Sequence, residues 1–320
     1  VDLRGRDADH RTGGRHDGGG NLMLDRQDYS ALCEARVRNP QSLRRALADR
    51  ARRPFVGDDG NLLILAADHT ARGMISVADD PLAVADRYTL LDNIMRGLSV
   101  PGVDGVMASA DILEELAWLG ALEGRVTVGT INRGGLRGAD WELDDRITAY
   151  DPDHLAEAGV DAGKVLLRIE FTDPGVASTL EMCAAVVTAM ADQGIPIMVE
   201  PLPYLKDEQG RAYLDTRDEE LIRAVAIASG LGSSSAHTWL KIPATDRIAE
   251  VAATTTMPIL LLGGDPGEGR QAVVDGWAKA MREPNVRGLI PGRTLLYPHD
   301  GDVEGIVTTA VEIVHGKEAQ

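Results

Sequence analysis

Short apolar runs recur along the chain from residue 61 onward, and stretches with the amphipathic spacing of helices separate them. The runs lie at 62–67, 103–108, 126–130, 164–170, 196–200, 237–242, 258–262 and 286–290. The helical stretches lie at 81–98, 110–121, 152–159, 176–193, 216–230, 245–254, 268–282 and 303–315. This alternation predicts an α/β fold, a (β/α)8 TIM barrel. A doubly wound open sheet is the competing architecture, but the loop at 68–73 lacks its glycine-rich nucleotide motif.

The first 60 residues do not follow this pattern. Residues 1–23 are rich in Gly, Asp, Arg and His and poor in large apolar side chains, which predicts a disordered tail. Residues 24–53 carry helical patterns, and 54–60 form a predicted linker. We therefore expect an N-terminal helical extension with its linker at 24–60 and a catalytic barrel domain at 61–320.

The charge balance restricts the partners that this chain can have. The formal net charge of its 320 residues is −17, with the acidic excess in the barrel region. Such a surface repels nucleic acid and anionic membranes, so a local basic cluster within it indicates a small anionic ligand. The two cysteines, Cys33 and Cys183, fit a reduced cytoplasmic protein, and no apolar run approaches the length of a membrane span. We expect a cytoplasmic homo-oligomer that acts on a small molecule and has no nucleic-acid or membrane partner.

Charged side chains close several of the apolar runs, at the end of the barrel where active sites lie in this fold. Strand alternation places Asp68, Arg168, Glu200 and Lys241 on inward faces at that end. Lysine is scarce in this chain, and one near the end of a buried strand is either a neutralised counter-ion or a nucleophilic amine. Salt bridges between strand ends are the structural alternative for each of these residues.

Glycines follow the seventh and eighth runs, whose loops often bind phosphate in this fold. Gly263 and Gly264 follow the seventh run, and Gly292 precedes Arg293 after the eighth. Backbone amides without a Cβ can approach an anion closely, and arginine can hold phosphate with two parallel hydrogen bonds. These residues therefore form a predicted phosphate site. The other predicted substrate contacts are His69, Arg133 and Arg168.

An amine, carboxylates and a phosphate site together suit Schiff-base chemistry on a carbonyl. Lys241 must be neutral to attack a carbonyl, and burial beside cations such as Arg168 and Lys164 favours the neutral form. Glu200 can move protons during carbinolamine formation and bond cleavage, and Asp68 can position a substrate hydroxyl.

These motifs resemble the class I, Schiff-base aldolases of the (β/α)8 superfamily. The similarity is greatest to the tagatose- or fructose-bisphosphate and sulfofructose-phosphate type, and more distant to deoxyribose-phosphate aldolase. The matching segments are 65–69 (LAADH), 164–167 (KVLL), 199–202 (VEPL), 240–243 (LKIP), 262–264 (LGG) and 291–293 (PGR). The resemblance implies that Lys241 is the Schiff-base lysine, Glu200 the acid/base and Lys164 an active-site cation, and that Gly263, Gly264 and Arg293 bind phosphate. The chain departs from the family where the first run continues as Asp-His-Thr-Ala-Arg instead of an Asp-Gln-Arg-Gly-like turn.

The expected activity is cleavage of a phosphorylated ketose or keto-sugar acid to dihydroxyacetone phosphate and an aldehyde, without a cofactor or metal. One hypothesis is a carboxylated aldehyde, such as the malonic semialdehyde of inositol breakdown, held by Arg72, Arg133 and Arg137. A phosphosugar isomerase or epimerase on the same barrel and a non-catalytic sugar-phosphate binding protein are alternatives. A metal-dependent aldolase would need several converging imidazoles, and only His69 and His299 lie near the expected strand ends.

Overall fold

The computed structural model describes residues 23–133, 135–263 and 269–316, and its central feature is a closed barrel of parallel strands. Each barrel strand pairs with the next in parallel, and the first pairs with the last, which closes the barrel. The predicted (β/α)8 fold is therefore confirmed. The barrel strands are β1 (Leu62–Ala66), β2 (Gly105–Ala108), β3 (Val126–Thr130), β4 (Ala162–Ile169), β5 (Ile197–Lys206), β7 (Thr238–Pro243), β8 (Ile259–Leu262) and β9 (Val286–Leu289).

One strand pair lies outside the predicted pattern. β5 continues to Lys206 instead of ending at residue 200. It pairs with β4 as far as Pro203, and residues 204–206 then pair antiparallel with β6 (Ala212–Leu214). The sequence did not predict this extension, because Pro201 and Pro203 interrupt the strand pattern.

Helices surround the barrel at the positions that the sequence predicted, with shifts at their ends. The helices are α3 (Arg87–Ser99), α4 (Ala110–Trp118), α5 (Pro152–Glu157), α6 (Gly175–Asp192), α7 (Asp218–Ser229), α8 (Ile248–Ala252), α9 (Arg270–Ala280), α10 (Arg293–Leu296) and α11 (Val303–His315). α3 begins at Arg87 and not at 81, because the carboxylate of Asp86 accepts a hydrogen bond from Thr89 N and caps the helix there. The short α10 was not predicted. α6 is long and apolar enough to cross a membrane by composition alone, but its buried side chains pack into the barrel's helical layer.

The strands are buried on both faces, as expected for a parallel barrel. Outward side chains such as Leu63 and Leu65 join the large core under the helices. Inward side chains form a second, smaller core along the barrel axis. Its members are Leu62, Ile64, Ala66, Met107, Val126, Val128, Ala162, Met198, Leu260 and Ile290.

The N-terminal helices α1 (Arg26–Arg38) and α2 (Gln41–Asp49) confirm the helical patterns of residues 24–53. The segment after α2 closes the N-terminal end of the barrel. Phe55 packs edge to face on Trp239, with 5.5 Å between ring centroids. Arg50 is buried beside Asp161, with 2.5 Å between Nη2 and Oδ2, while the half-exposed Arg52 reaches the other oxygen of that carboxylate. Arg50 also donates hydrogen bonds to Thr127 and to the carbonyls of Leu47 and Gly159. Except for Met23, the predicted tail at 1–23 lies outside the described residues.

The last helix ends at the same end of the barrel. His315 Nδ1 lies 2.5 Å from Asp59 Oδ2, and its Nε2 lies 3.2 Å from Asp104 Oδ2. The contact with Asp104, then that with Asp59, outweighs partial burial and raises the pKa of His315. The end of α11 is thus held by an ion pair whose strength depends on pH.

Candidate active site

Five charged side chains of alternating sign cross the C-terminal end of the barrel. They are Lys241 on β7, Glu200 on β5, Lys164 on β4, Asp68 after β1 and Arg133 after β3, and we call them the charge row. Lys241 Nζ lies 2.8 Å from Glu200 Oε1, and Lys164 Nζ lies 2.5 Å from Glu200 Oε2. Lys164 Nζ also lies 3.5 Å from Asp68 Oδ2, and Arg133 Nε lies 3.4 Å from the same oxygen. The structure therefore brings together the four predicted catalytic residues and adds Arg133.

The strand register explains why these side chains meet. Val199 of β5 pairs with Leu240 of β7, so Glu200 and Lys241 are the next residues on adjacent strands and point inward side by side. Leu166 of β4 pairs with Glu200, which places Lys164 two residues nearer the N-terminal end of the barrel. The long side chain of Lys164 spans that difference.

The charge row is buried to different depths. The side chain of Lys164 is fully buried, and that of Asp68 is 2% exposed. Lys241 and Glu200 are 5% and 8% exposed at their side chains. Lys164 is therefore enclosed between the two carboxylates, while Lys241 is the lysine that a ligand in the mouth can reach.

The neighbouring cations keep the carboxylates of Glu200 and Asp68 ionised despite their burial. Burial alone would raise the pKa of Glu200, but the ammonium groups of Lys164 and Lys241 outweigh it and lower that pKa to about 2. Burial also opposes ionisation of Asp68, and Arg133, Lys164 and Lys241 together hold its pKa well below the usual range. Burial lowers the pKa of Lys164, and Glu200 and Asp68 offset part of that effect. Both carboxylates are therefore acceptors at neutral pH.

The predicted phosphate residues lie beside the end of β1. A Cβ on Gly292 would collide with the His69 ring and the Ala66 carbonyl, so only glycine lets the imidazole pack there. A Cβ on Gly263 would lie 2.7 Å from Thr294 Oγ1, so β8 and the start of α10 approach closely. Arg293 Nη1 donates a hydrogen bond to the Ser76 carbonyl at 2.9 Å. Gly264 lies outside the described residues. Gly263, Gly292 and Arg293 form what we call the glycine corner.

Arg168 lies apart from the charge row, although it points inward from β4. Its Nη1 lies 2.8 Å from Glu142 Oε1, and Arg72 Nη2 lies 2.6 Å from the same oxygen. Asp145 Oδ2 lies 3.5 Å from Arg168 Nη2, so two arginines and two carboxylates form a buried, neutral cluster. Among the described residues, the ion pairs of Arg168 are made with this β3–α5 loop and none with the charge row. Its predicted substrate contact stays a prediction.

Sequence reasoning did not identify Glu142 and Asp145. They lie in an irregular loop, where no periodicity indicates which way a side chain points. Arg137 of the same loop, expected near a substrate carboxylate, is exposed. In the described part of the chain, no three His, Cys, Asp or Glu side chains converge as a metal site would require.

Comparison with solved structures identifies one that resembles the chain over nearly its whole length. It is that of Cgl0159 from Corynebacterium glutamicum, with 44% sequence identity, a TM-score of 0.89, and coverage of 92% of this chain and 98% of that chain. An archaeal fructose-1,6-bisphosphate aldolase, solved with its catalytic lysine bound to a carbinolamine intermediate, shares 18% identity at a TM-score of 0.60. That match covers 85% of this chain and 99% of the aldolase. A fructose-bisphosphate aldolase from Slackia heliotrinireducens shares 13% identity at a TM-score of 0.55, covering 93% of this chain and 95% of that one.

The two aldolase matches show a common barrel fold, since their identity is low. Among curated proteins, none matches the sequence significantly. The Cgl0159-like family model matches residues 60–311, which includes every barrel strand and the whole charge row. The chain therefore belongs to the Cgl0159-like family.

Proposed function

We propose that this protein is a class I aldolase that cleaves a phosphorylated ketose through a Schiff base on Lys241. The observation that carries the proposal is the contact of Lys241 Nζ with Glu200 Oε1 at 2.8 Å, at one end of a buried row of charges. An amine beside an ionised carboxylate has both a nucleophile and an acceptor for the proton that it must lose. The fold shared with an aldolase whose catalytic lysine forms a carbinolamine supports the same chemistry.

The charge row can perform each proton transfer of such a cleavage. Glu200 takes one proton from the Lys241 ammonium, and the free amine attacks the ketose carbonyl. The attacking nitrogen gives a second proton to the carbonyl oxygen to form the carbinolamine, and Glu200 returns the first proton to that hydroxyl, which leaves as water. The resulting iminium withdraws electrons from the neighbouring carbon–carbon bond. Glu200 then accepts the proton of the substrate hydroxyl beyond that bond, the bond breaks, and an aldehyde leaves. Reprotonation of the enamine and hydrolysis release dihydroxyacetone phosphate and regenerate the lysine.

The remaining residues bind and orient the substrate in this proposal. The glycine corner holds the phosphate through the guanidinium of Arg293, which can form two parallel hydrogen bonds with it. Asp68 positions a substrate hydroxyl. Of the arginines expected to meet a carboxylate on the aldehyde half, Arg72 is paired with Glu142 outside the charge row, whereas Arg133 lies in the charge row beside Asp68 and is the better candidate. A keto-sugar acid of the kind met in inositol or related sugar breakdown would use that contact.

Borohydride trapping tests the Schiff base directly. The protein is incubated with dihydroxyacetone phosphate and sodium borohydride, and its peptides are analysed by mass spectrometry. We expect a covalent adduct on the peptide that contains Lys241. Lys241→Met should show no adduct, while Lys279→Met, which removes an exposed lysine, should be labelled like the wild type. An unlabelled wild type would refute the proposal.

A substrate panel then separates the remaining functions. Ketose monophosphates, keto-sugar acid phosphates and fructose 1,6-bisphosphate are incubated with the protein, and the products are identified. Aldehyde and dihydroxyacetone phosphate indicate the aldolase, whereas an isomeric sugar phosphate indicates an isomerase or epimerase. Binding without any product would indicate a sugar-phosphate binding protein. Preference for the bisphosphate would contradict the carboxylated aldehyde half.

A further inference from the structure

His69 lies between the charge row and the glycine corner, immediately before a one-turn 3-10 helix at Thr70–Arg72. Its backbone carbonyl accepts hydrogen bonds from Arg72 N and Met74 N, each at 3.1 Å, and these bonds hold the turn. They use no side-chain atom. The imidazole is therefore not required for the local backbone, and its position needs another explanation.

The ring packs on the backbone of Gly292, where a Cβ would collide with it. The charges of Asp68, Arg133, Lys241 and Arg293 act on the ring. His69 thus follows Asp68 of the charge row in the chain and packs its ring on Gly292 of the glycine corner. A ketose phosphate held at both places would pass beside this ring.

The ring nitrogens have unused hydrogen-bonding capacity. Within the described residues, no group makes a hydrogen bond with either ring nitrogen of His69, and the residue is half-buried. Neither nitrogen is among the described polar atoms that are fully enclosed without a partner. Polar groups lining a buried site usually have a partner, and here a ligand can supply it.

The ring can serve as a donor without adding another charge. Burial and the nearby cations Arg133, Lys241 and Arg293 lower the pKa of His69 to about 3, although Asp68 acts in the opposite direction. A neutral imidazole carries one N–H donor and one acceptor nitrogen. Its N–H can donate to an anionic oxygen in a site that already holds several cations.

We propose that the His69 imidazole donates a hydrogen bond to a phosphate oxygen of the substrate and so selects phosphorylated ketoses over unphosphorylated ones. The proposal rests on the proposed function, since it places the phosphate at the glycine corner. It assigns a role to the residue at which the first strand's loop departs from the aldolase motif.

The test compares two trapping ligands that differ only in the phosphate. Adduct formation on Lys241 is measured against the concentration of dihydroxyacetone phosphate and of dihydroxyacetone. His69→Phe keeps a ring on Gly292 but has no N–H, and His69→Asn keeps a short donor. His237→Phe changes a half-buried histidine at the opposite end of the barrel and serves as the matched control.

We expect His69→Phe to raise the half-saturating concentration of dihydroxyacetone phosphate about tenfold, the effect of one hydrogen bond to a charged group. His69→Asn should have a smaller effect, and His237→Phe none. The half-saturating concentration of dihydroxyacetone should stay within about twofold in all variants. If the half-saturating concentration in His69→Phe rose equally for both ligands, or for neither, the proposal would be overturned while the Schiff base stayed established.

Failure of the proposed function is distinguishable from failure of this inference. If the wild type forms no adduct with either ligand, the Schiff base is refuted. Calorimetric titration with inorganic phosphate then decides the role of His69. Binding that weakens about tenfold in His69→Phe supports the phosphate contact. Equal binding, or no binding to the wild type, overturns it.

Discussion

Replacing Lys164 by methionine removes the cation at the centre of the charge row and leaves its two carboxylates in place. Methionine keeps a similar side-chain length, so loss of charge dominates over loss of packing. Lys164 and Lys241 together lower the pKa of Glu200 to about 2, against an ordinary value of 4.5, which corresponds to roughly 3 kcal/mol of stability at neutral pH for both contacts, and the lowered pKa of Lys164 offsets part of it. Removal of one partner from a buried ion pair typically costs about 3–5 kcal/mol. We therefore expect Lys164→Met to lower the free energy of unfolding by roughly 3 kcal/mol at pH 7.

Urea unfolding of both proteins at pH 7 and pH 4 measures this quantity. The pKa of Glu200 is lowered in the folded state, so its contribution is complete above the unfolded value and is lost as the pH falls toward 2. The difference in the free energy of unfolding between wild type and Lys164→Met should accordingly be about 1 kcal/mol smaller at pH 4 than at pH 7. Lys279→Met, at an exposed lysine, should change stability by less than about 0.5 kcal/mol. Equal stability of Lys164→Met and wild type at pH 7 would refute the assignment of Lys164 as a charged buried partner.

Two further predictions concern the N-terminal end of the barrel. Arg50→Met should lower the free energy of unfolding by about 3 kcal/mol, because it leaves Asp161 with the half-exposed Arg52 alone. Arg52→Met should lower the free energy of unfolding by less than about 1 kcal/mol. If denaturant unfolding gave the same decrease for both variants, the distinction between the buried Arg50 and the half-exposed Arg52 would be contradicted. The raised pKa of His315 contributes stability that is complete below its unfolded value near 6.5 and is lost as the pH rises through the folded value. In thermal unfolding, His315→Asn should therefore lower the melting temperature more at pH 6 than at pH 9. A decrease in melting temperature that does not depend on pH would exclude the ion pair with Asp104.

The barrel and the centre of its candidate site could be predicted because both follow from local periodicity. Inward alternation alone placed Glu200 and Lys241 on adjacent strand ends, and the register confirms that they lie side by side. Arg168 obeys the same alternation, but its ion pairs are decided by a loop that brings Glu142 and Asp145 over the strand end. Such a loop has no repeating pattern, so its packing depends on tertiary contacts that sequence spacing does not express.

The β5–β6 hairpin shows a second limit of sequence reasoning. A proline normally marks the end of a strand, because it has no N–H to donate to a neighbouring strand. At Pro201 and Pro203 the chain nevertheless stays extended, and the hairpin forms beyond them. Pro201 and Pro203 still align with Leu167 and Ile169 of β4, and the chain pairs with β6, several residues further along, only from Tyr204 onward. The apolar pattern of residues 196–200 alone could not predict that the strand continues.

The charge row has an odd number of members, so its charges do not cancel. This bears on the proposed reaction, which begins when Lys241 loses a proton. With every group ionised, three cations face two anions, so the row carries a single excess positive charge. In the proposed mechanism, transfer of a proton from Lys241 to Glu200 removes one charge of each sign, and the iminium beside an ionised Glu200 restores both, so the excess stays at one positive charge. The row would therefore have the same net charge with the free amine and with the cationic intermediate of the proposed reaction.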